Sequence, residues 1–241
     1  MDLSIVIPVF NERTKIGRDL AAAAAFLVGE RLNGEIIVVD DGSRDHTREV
    51  VEAANVPTET QLLVIGYETH RGKGFAVRAG IKVSKGRNVM FADSGSCVPY
   101  RYALAGLQML NNAECDIAHG SRKLKQSRIL ASPPWNRRLY SALLRRLLIA
   151  VMKVPAEFTD TQCGFKIYRG DLARELYGAC VTDGFMFDVE IILRALRQQF
   201  RIREFPIEWT VDPDSRTTQT LKVRQLLAEL LTIKRLLAER K

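Results

Sequence analysis

Four cysteines and three histidines are all that the 241 residues contain. Cys97, Cys115, Cys163 and Cys180 form no C-x-x-C pair and no spacing typical of a zinc site, so neither a disulfide framework nor a structural zinc is expected. They read as reduced thiols, which suits a cytoplasmic location. No uninterrupted apolar run is long enough to span a bilayer. The first residues lead straight into a strand, not through a basic and then an apolar region, so no secretory leader is expected. Internal repeats and low-complexity segments are also lacking, which argues against a solenoid or a disordered chain. With 46% apolar and 27% charged residues, the length suits one large α/β domain.

Acid is missing where base is dense. Between Ser121 and Val154 there are nine Lys or Arg residues and no Asp or Glu, and Arg216 to Lys241 holds seven basic residues against two acidic ones. These segments contribute +9 and +5 to a net charge of +8, which leaves −6 on the rest of the chain. The basicity is therefore local and points to an anionic ligand or surface. No platform of interleaved aromatic and basic residues accompanies it, so nucleic acid is not the expected partner.

What is present is a strand and helix alternation. Short apolar runs at Leu3–Val9, Glu35–Val39, Gln61–Ile65 and Asn88–Ala92 read as buried strands. Helices are expected between them at Thr14–Val28, with Thr14 as N-cap, at Thr47–Ala54 and at Gly74–Ser84. The second half predicts helices at Tyr102–Leu110, Arg137–Lys153, Asp171–Tyr177 and Asp188–Gln198, strands at Asp116–His119, Gly164–Tyr168 and Ile202–Trp209, and a last helix from about Thr220. The fold class is α/β, a mostly parallel sheet flanked by helices, in which ligands sit beyond the carboxyl ends of the strands.

The strand ends carry the chemistry. Pro8, Phe10, Asn11 and Glu12 follow the first strand, and Asp40 and Asp41 close the second, with Ser43 and Asp45 as caps of the next helix. Carboxylates at neighbouring strand ends suit ribose hydroxyls or base N–H donors, because each accepts at both oxygens. His70-Arg71-Gly72-Lys73-Gly74 precedes a helix, so its cations and the helix N-terminus suit anionic oxygens. Asp93-Ser94-Gly95-Ser96 follows the fourth strand, where a carboxylate can approach a metal-bound diphosphate.

The order of these motifs resembles glycosyltransferase family 2. Asp160-Thr161-Gln162-Cys163-Gly164-Phe165-Lys166, then Phe187-Asp188-Val189-Glu190, then Trp209 with Ser215-Arg216, are similar to the dolichyl-phosphate sugar synthases within it, nearest the glucosyltransferase pattern. The resemblance implies one Rossmann-like GT-A domain over residues 1–215, with a nucleotide-binding half at 1–96, an acceptor half at 97–215, and a basic amphipathic helix at 216–241. It implies a nucleotide-sugar donor, with glucose from UDP-glucose as the leading expectation. GDP-mannose and a catalytically silent nucleotide-sugar binding protein are the alternatives.

By the same likeness, Pro8, Phe10, Glu12 and Asp41 surround the nucleoside, with Asn11 and Asp40 in the same clusters. Arg71 and Lys73 lie near the donor phosphates, and Asp93 belongs to a D-x-D motif that holds Mg2+ or Mn2+. The second acid of that motif falls on Gly95, which offers no side chain to a metal. Asp160 is expected near the acceptor, or paired with Arg169. Arg122, Arg128, Arg137, Arg138 and Arg216 are candidate cations for a polyprenyl or dolichyl phosphate acceptor, since arginine's fork suits phosphate. The leucines of Ala142–Val154 and of the last helix suit core packing, contact in a homodimer, or a peripheral seat on the cytoplasmic face of a membrane.

Overall fold

The computed structural model describes residues 1–131, 135–211 and 223–238; within its helices, the side chains at 136–138, 140, 223–225 and 238 lie outside the described set. The first strand, β1 (Leu3–Val9), is buried along its whole length, as are β2 (Gly34–Asp40) and β4 (Asn88–Ala92). Alternate residues serve opposite faces of the sheet. Leu3, Ile5, Ile7, Ile36, Val38 and Met90 join the core under helices α1 (Ile16–Gly29) and α4 (Ala103–Asn111). Val6, Ile37, Val39, Val89 and Phe91 join the core under α3 (Lys73–Val83), α6 (Gly170–Gly178) and α7 (Phe187–Arg197). A strand covered on both faces by helices is apolar at most positions, so these runs show no polar alternation, and buried Ser4 and Glu35 satisfy one another across β1 and β2 at 2.6 Å.

The remaining elements are α2 (Thr47–Glu52), β3 (Gln61–Gly66), β5 (Ile117–Ser121), β6 (Arg128–Ile129), α5 (Trp135–Met152), β7 (Phe165–Arg169), β8 (Ile202–Pro206), β9 (Glu208–Trp209) and α8 (Val223–Ala238). The main sheet has the order β3-β2-β1-β4-β7-β5-β8. Strand order reverses between β1 and β4, so a crevice opens there at the carboxyl ends. Only β7 is antiparallel to its neighbours, with Ala92 opposite Phe165 and His119 opposite Lys166. This reversal brings the start of β7, with Asp160 to Gly164 before it, to the end of the sheet where β4 and β5 deliver Asp93 and Arg122.

Two expected elements differ. Thr14 does not cap α1: Lys15 occupies the cap position without a side-chain bond. The helix start is held instead by the Glu12 carbonyl, which accepts from Lys15 and Ile16 N–H, and by a Glu12–Lys15 ion pair of 2.7 Å. The single strand expected at Ile202–Trp209 divides at Ile207. Pro206 lies opposite Ser121, the last residue of β5, and beyond it the chain pairs with β6.

The leucine stripes of α5 and α8 are partly core. Leu148, Met152, Leu226, Leu230 and Leu237 share a third cluster with Val189 and Ile192 of α7, while Leu143, Leu227 and Leu231 stay exposed. Glu229 of α8 accepts from the Met186 N–H at 3.0 Å and so ties the last helix to the loop before α7.

Candidate active site

Side chains knit the first two strand ends together. Asn11 donates its N–H to Ser43 Oγ at 2.8 Å and accepts from Arg44 N–H at 2.7 Å, and Glu12 N–H donates to Thr47 Oγ1 at 2.8 Å. Asp40 accepts from Ser43 N–H at 3.0 Å. Asp45 accepts from Thr47 N–H at 3.1 Å, at the start of α2. Buried Asp41 accepts from Arg71 and Gly72 N–H at 2.8 and 2.9 Å, and His70 Nδ1 lies 2.9 Å from its carboxylate. Phe10 stacks on the His70 ring, centroids 4.0 Å apart. Pro8 is buried within β1. The structure brings Phe10 and Asp41 together through His70, which the sequence signalled only by its position beside Arg71.

At the end of β4, Lys73 Nζ lies 2.5 Å from Asp93 Oδ1. Burial disfavours this ammonium, but the Asp93 and Asp188 carboxylates outweigh it and raise the lysine above its ordinary range. Arg71 is 3.6 Å above the Phe75 ring and 3.8 Å from Asp183. Gly72 and Gly74 are required by close approach: a Cβ on either would come within 2.5 Å of the carbonyl oxygens of Asp183 and Thr182. That loop is in turn held by Glu190, which accepts from Val181 and Thr182 N–H at 3.1 and 2.9 Å and pairs with Arg194 at 2.7 Å.

The turn after β4 is shaped by its glycine. Gly95 has φ +93° and Ser96 φ +50°, a left-handed pair in which a branched or charged side chain at 95 would be strained. Asp19, buried on the apolar face of α1, accepts from Gly95 N–H at 2.7 Å and from Ser96 Oγ at 2.5 Å. Burial raises its pKa, against those two hydrogen bonds. Sequence reasoning missed Asp19, although an acid beside Leu20 on an Ala-rich face was a readable sign. Gly164 lies against the Asp93 carboxyl, and the Asp93 N–H donates to the Gly164 carbonyl at 2.8 Å.

Asp160 sits opposite. Its two oxygens take Arg122 Nε at 2.6 Å and Nη2 at 2.7 Å, a bidentate pair. It does not pair with Arg169, which meets Asp116 and Asp171 at the far end of β7. Burial would raise the Asp160 carboxyl, but the Arg122 guanidinium outweighs it and takes the pKa down to about 2. Glu204 on β8 accepts from Thr159 and Asp160 N–H at 2.9 and 2.8 Å and so fixes the carboxylate's approach. Arg122 also faces the Trp209 ring at 5.3 Å. Asp93, Ser96, Cys97, Arg122, Cys163 and Trp209 line one small cavity. Burial, and then the Asp160 charge, push the Cys163 thiol up to about 12, so it is no nucleophile.

Because the folded Asp160 carboxyl is depressed, its contribution to stability is complete above the unfolded value near 4 and is lost as pH falls toward about 2. The stability gap between the wild type and Asp160→Asn is therefore expected to narrow from pH 5 downward in urea titrations. A gap independent of pH would remove the ion pair as its cause.

Beneath the cavity, fully buried Lys166 pairs with Asp188 and donates to the Thr161 carbonyl at 3.0 Å. Burial, with the Lys166 charge beside it, holds His119 well below its ordinary pKa and neutral. Arg128 is exposed on β6. Arg137 and Arg138 belong to the first turn of α5, with side chains outside the described residues, and Arg216 also lies outside them. Among the described residues no three His, Cys, Asp or Glu side chains gather to hold a metal. Asp93 fits an ion that takes most of its ligands from phosphates and water, not a cage made by protein alone.

This sheet order, with acidic turns at the switch point and a cation pocket facing them, is the GT-A glycosyltransferase fold. The chain belongs to glycosyl transferase family 2, whose pattern matches residues 4–176. Similar proteins include the dolichyl-phosphate beta-glucosyltransferase of Saccharomyces cerevisiae, 28% identical over 252 residues that cover 96% of this chain and 74% of the yeast protein. The Homo sapiens protein of that name is 28% identical over 248 residues, with 96% and 74% covered. Glucosyl-3-phosphoglycerate synthase from Mycobacterium tuberculosis, solved with Mn2+, UDP and glucosyl-3-phosphoglycerate, superposes with a TM-score of 0.73 at 18% identity, over 96% of this chain and 79% of that one.

Proposed function

We propose that this chain transfers glucose from UDP-glucose to a dolichyl or polyprenyl phosphate, with inversion at the anomeric carbon. The observation that carries the reading is the shared cavity: Asp93, on the donor side at the switch point, and Arg122, on the acceptor side, line the same space. The names of the relatives supply the substrate classes, and the UDP and Mn2+ of the fold neighbour agree with a nucleotide donor and a divalent ion.

The acceptor's phosphate oxygen attacks the anomeric carbon as the bond to the UDP oxygen breaks. That oxygen is anionic near neutral pH, so no general base is needed. Asp160 has the matching role of a positioning residue: it holds two edges of Arg122 and leaves Nη1 to the acceptor phosphate. Phe10, Asn11, Glu12, Asp40 and Asp41 hold the nucleoside, and Pro8 supports them from within β1. Arg71 and Lys73 take the diphosphate. A divalent ion at Asp93, Mg2+ or Mn2+, would neutralise charge on the departing diphosphate. Arg137, Arg138 and Arg216 supply further cations to the acceptor.

We infer a seat on the cytoplasmic face of a membrane, and the exposed apolar side chains of α5 and of the strand before it support this reading. No described helix is long and apolar enough to cross a membrane. Instead Trp135, Leu139 and Leu143 recur along one exposed side of α5, next in sequence to exposed Ile129 and Leu130, with Arg146 on the same helix. Large apolar side chains with cations beside them lie well at the headgroup boundary.

The test is transfer of labelled sugar from UDP-glucose and from GDP-mannose to a short polyprenyl phosphate, with Mg2+, Mn2+ or EDTA. Glucosyl lipid from UDP-glucose alone is expected. Mannosyl lipid would replace the donor, and tight donor binding without any product would turn the reading to a binding protein. Asp93→Asn is expected to lower turnover by about 10²–10³-fold, as loss of an electrostatic group at a leaving diphosphate does; turnover near wild type would remove Asp93 from the site.

A further inference from the structure

Two ammonium groups and two carboxylates meet at the floor of the site. Lys73 pairs with Asp93 at 2.5 Å, Lys166 pairs with Asp188, and Asp188 also acts on Lys73. Among the described residues, Arg122 and Asp160 beside this floor neutralise one another. The ground state is therefore balanced in charge before any ligand arrives. Asp93 has little freedom within it. Its carboxyl is wedged between Lys73 and Gly164, where a Cβ would fall 2.1 Å from it. Gly95 adds no second carboxylate, because the turn needs its φ of +93°. A divalent cation arriving alone would meet a carboxylate already paired with Lys73 and would add positive charge with no counter-charge of its own. A cation arriving with a nucleoside diphosphate brings its own counter-charge, and Lys73 then has phosphate oxygens to turn to.

We propose that Lys73 is a built-in counter-cation that reserves Asp93, so that a divalent ion is admitted only together with the donor diphosphate. The inference rests on the reading of Asp93 and Lys73 as donor-binding groups and assigns the order in which that site fills. Lys73 is then both the guard of the carboxylate before binding and a phosphate ligand after it, which a single flexible ammonium can do and a rigid second acid could not.

The experiment is a Mn2+ titration followed by the EPR signal of the free ion, on the full chain, with and without UDP. Wild type is expected to hold Mn2+ only when UDP is present. Lys73→Met is expected to bind Mn2+ without UDP at least about tenfold more tightly than wild type, the scale of removing one nearby charge. The gain is expected to vanish in Lys73→Met/Asp93→Asn, and Lys73→Arg, which keeps the charge, is expected to behave as wild type. Equal Mn2+ affinity of the wild type with and without UDP would overturn the proposal with no variant needed. So would a folded Lys73→Met no tighter than wild type. These results leave the donor reading intact, whereas failure of UDP to bind at all, with or without Mn2+, would sink that reading itself.

Discussion

Gly164→Ala is expected to lower sugar transfer by about 10²-fold or more while leaving the fold in place, the scale seen when a reacting group is displaced by an ångström. A Cβ on Gly164 would lie 2.1 Å from the Asp93 carboxyl, well inside van der Waals contact. The backbone at that point cannot give way, because the Gly164 carbonyl accepts the Asp93 N–H at 2.8 Å and Phe165 pairs with Ala92. The side chain of Asp93 must turn, and turning breaks its 2.5 Å pair with Lys73. The polar group displaced is over a third exposed, so water can solvate it and the cost to stability is small. Turnover and thermal unfolding measured on the same preparation check this. Activity near wild type would mean that Asp93 need not stand where the structure places it; loss of cooperative unfolding would mean that Gly164 serves the fold alone.

Lys166→Met carries the largest expected effect on stability, a loss of about 3–5 kcal/mol, the usual cost of removing one partner from a buried ion pair. Methionine fills a similar volume, so little of that cost is cavity. Lys166 is fully buried and Asp188 is 3% exposed, and Lys73 is the other cation that acts on the carboxylate left behind. Burial already raises the Asp188 pKa against the pull of Lys166 and Lys73. Without Lys166 the carboxyl rises further. A raised carboxyl is tolerated below its unfolded value near 4 and opposes folding as pH climbs toward its folded value, so the defect is expected to be smaller at pH 4.5 than at pH 7. Lys166→Met/Asp188→Asn is expected to recover much of the loss, because the orphan charge is gone. Urea unfolding of the single and double variants measures this coupling. A single variant within 1 kcal/mol of wild type would show that the pair is not stabilising in the sense argued.

Much of the architecture was legible without coordinates because its causes are local. Apolar runs such as Leu3–Val9 and Asn88–Ala92 have the length and composition of doubly covered strands, and turn residues mark where each one ends. The motifs at those ends were therefore placed on the right edge of the sheet. The site was legible only as parts. Asp160 and Arg122 are 38 residues apart, and Asp19 and Gly95 are 76 apart. No periodicity links such pairs. The helical stripes were ambiguous for a related reason: a leucine at helical spacing looks alike whether it meets α7, as the cluster with Leu226 and Leu230 does, or solvent, as Leu231 does.

By itself the sequence determined the alternation of strands and helices, the edge of the sheet that carries the candidate site motifs, the two basic segments, and the family to which the chain belongs. These follow from composition, short-range period and residue order, all of which a linear chain displays. Only the tertiary structure decided that β7 runs against its neighbours, and that reversal is what sets Gly164 beside Asp93. It also decided that Asp160 is spent on Arg122, that Asp19 ties down the turn at Gly95, and that Lys73 pairs with Asp93. Strand direction and charge pairing depend on which distant segments share one desolvated space, where an unpaired charge is costly and each group takes the partner the packing brings within reach.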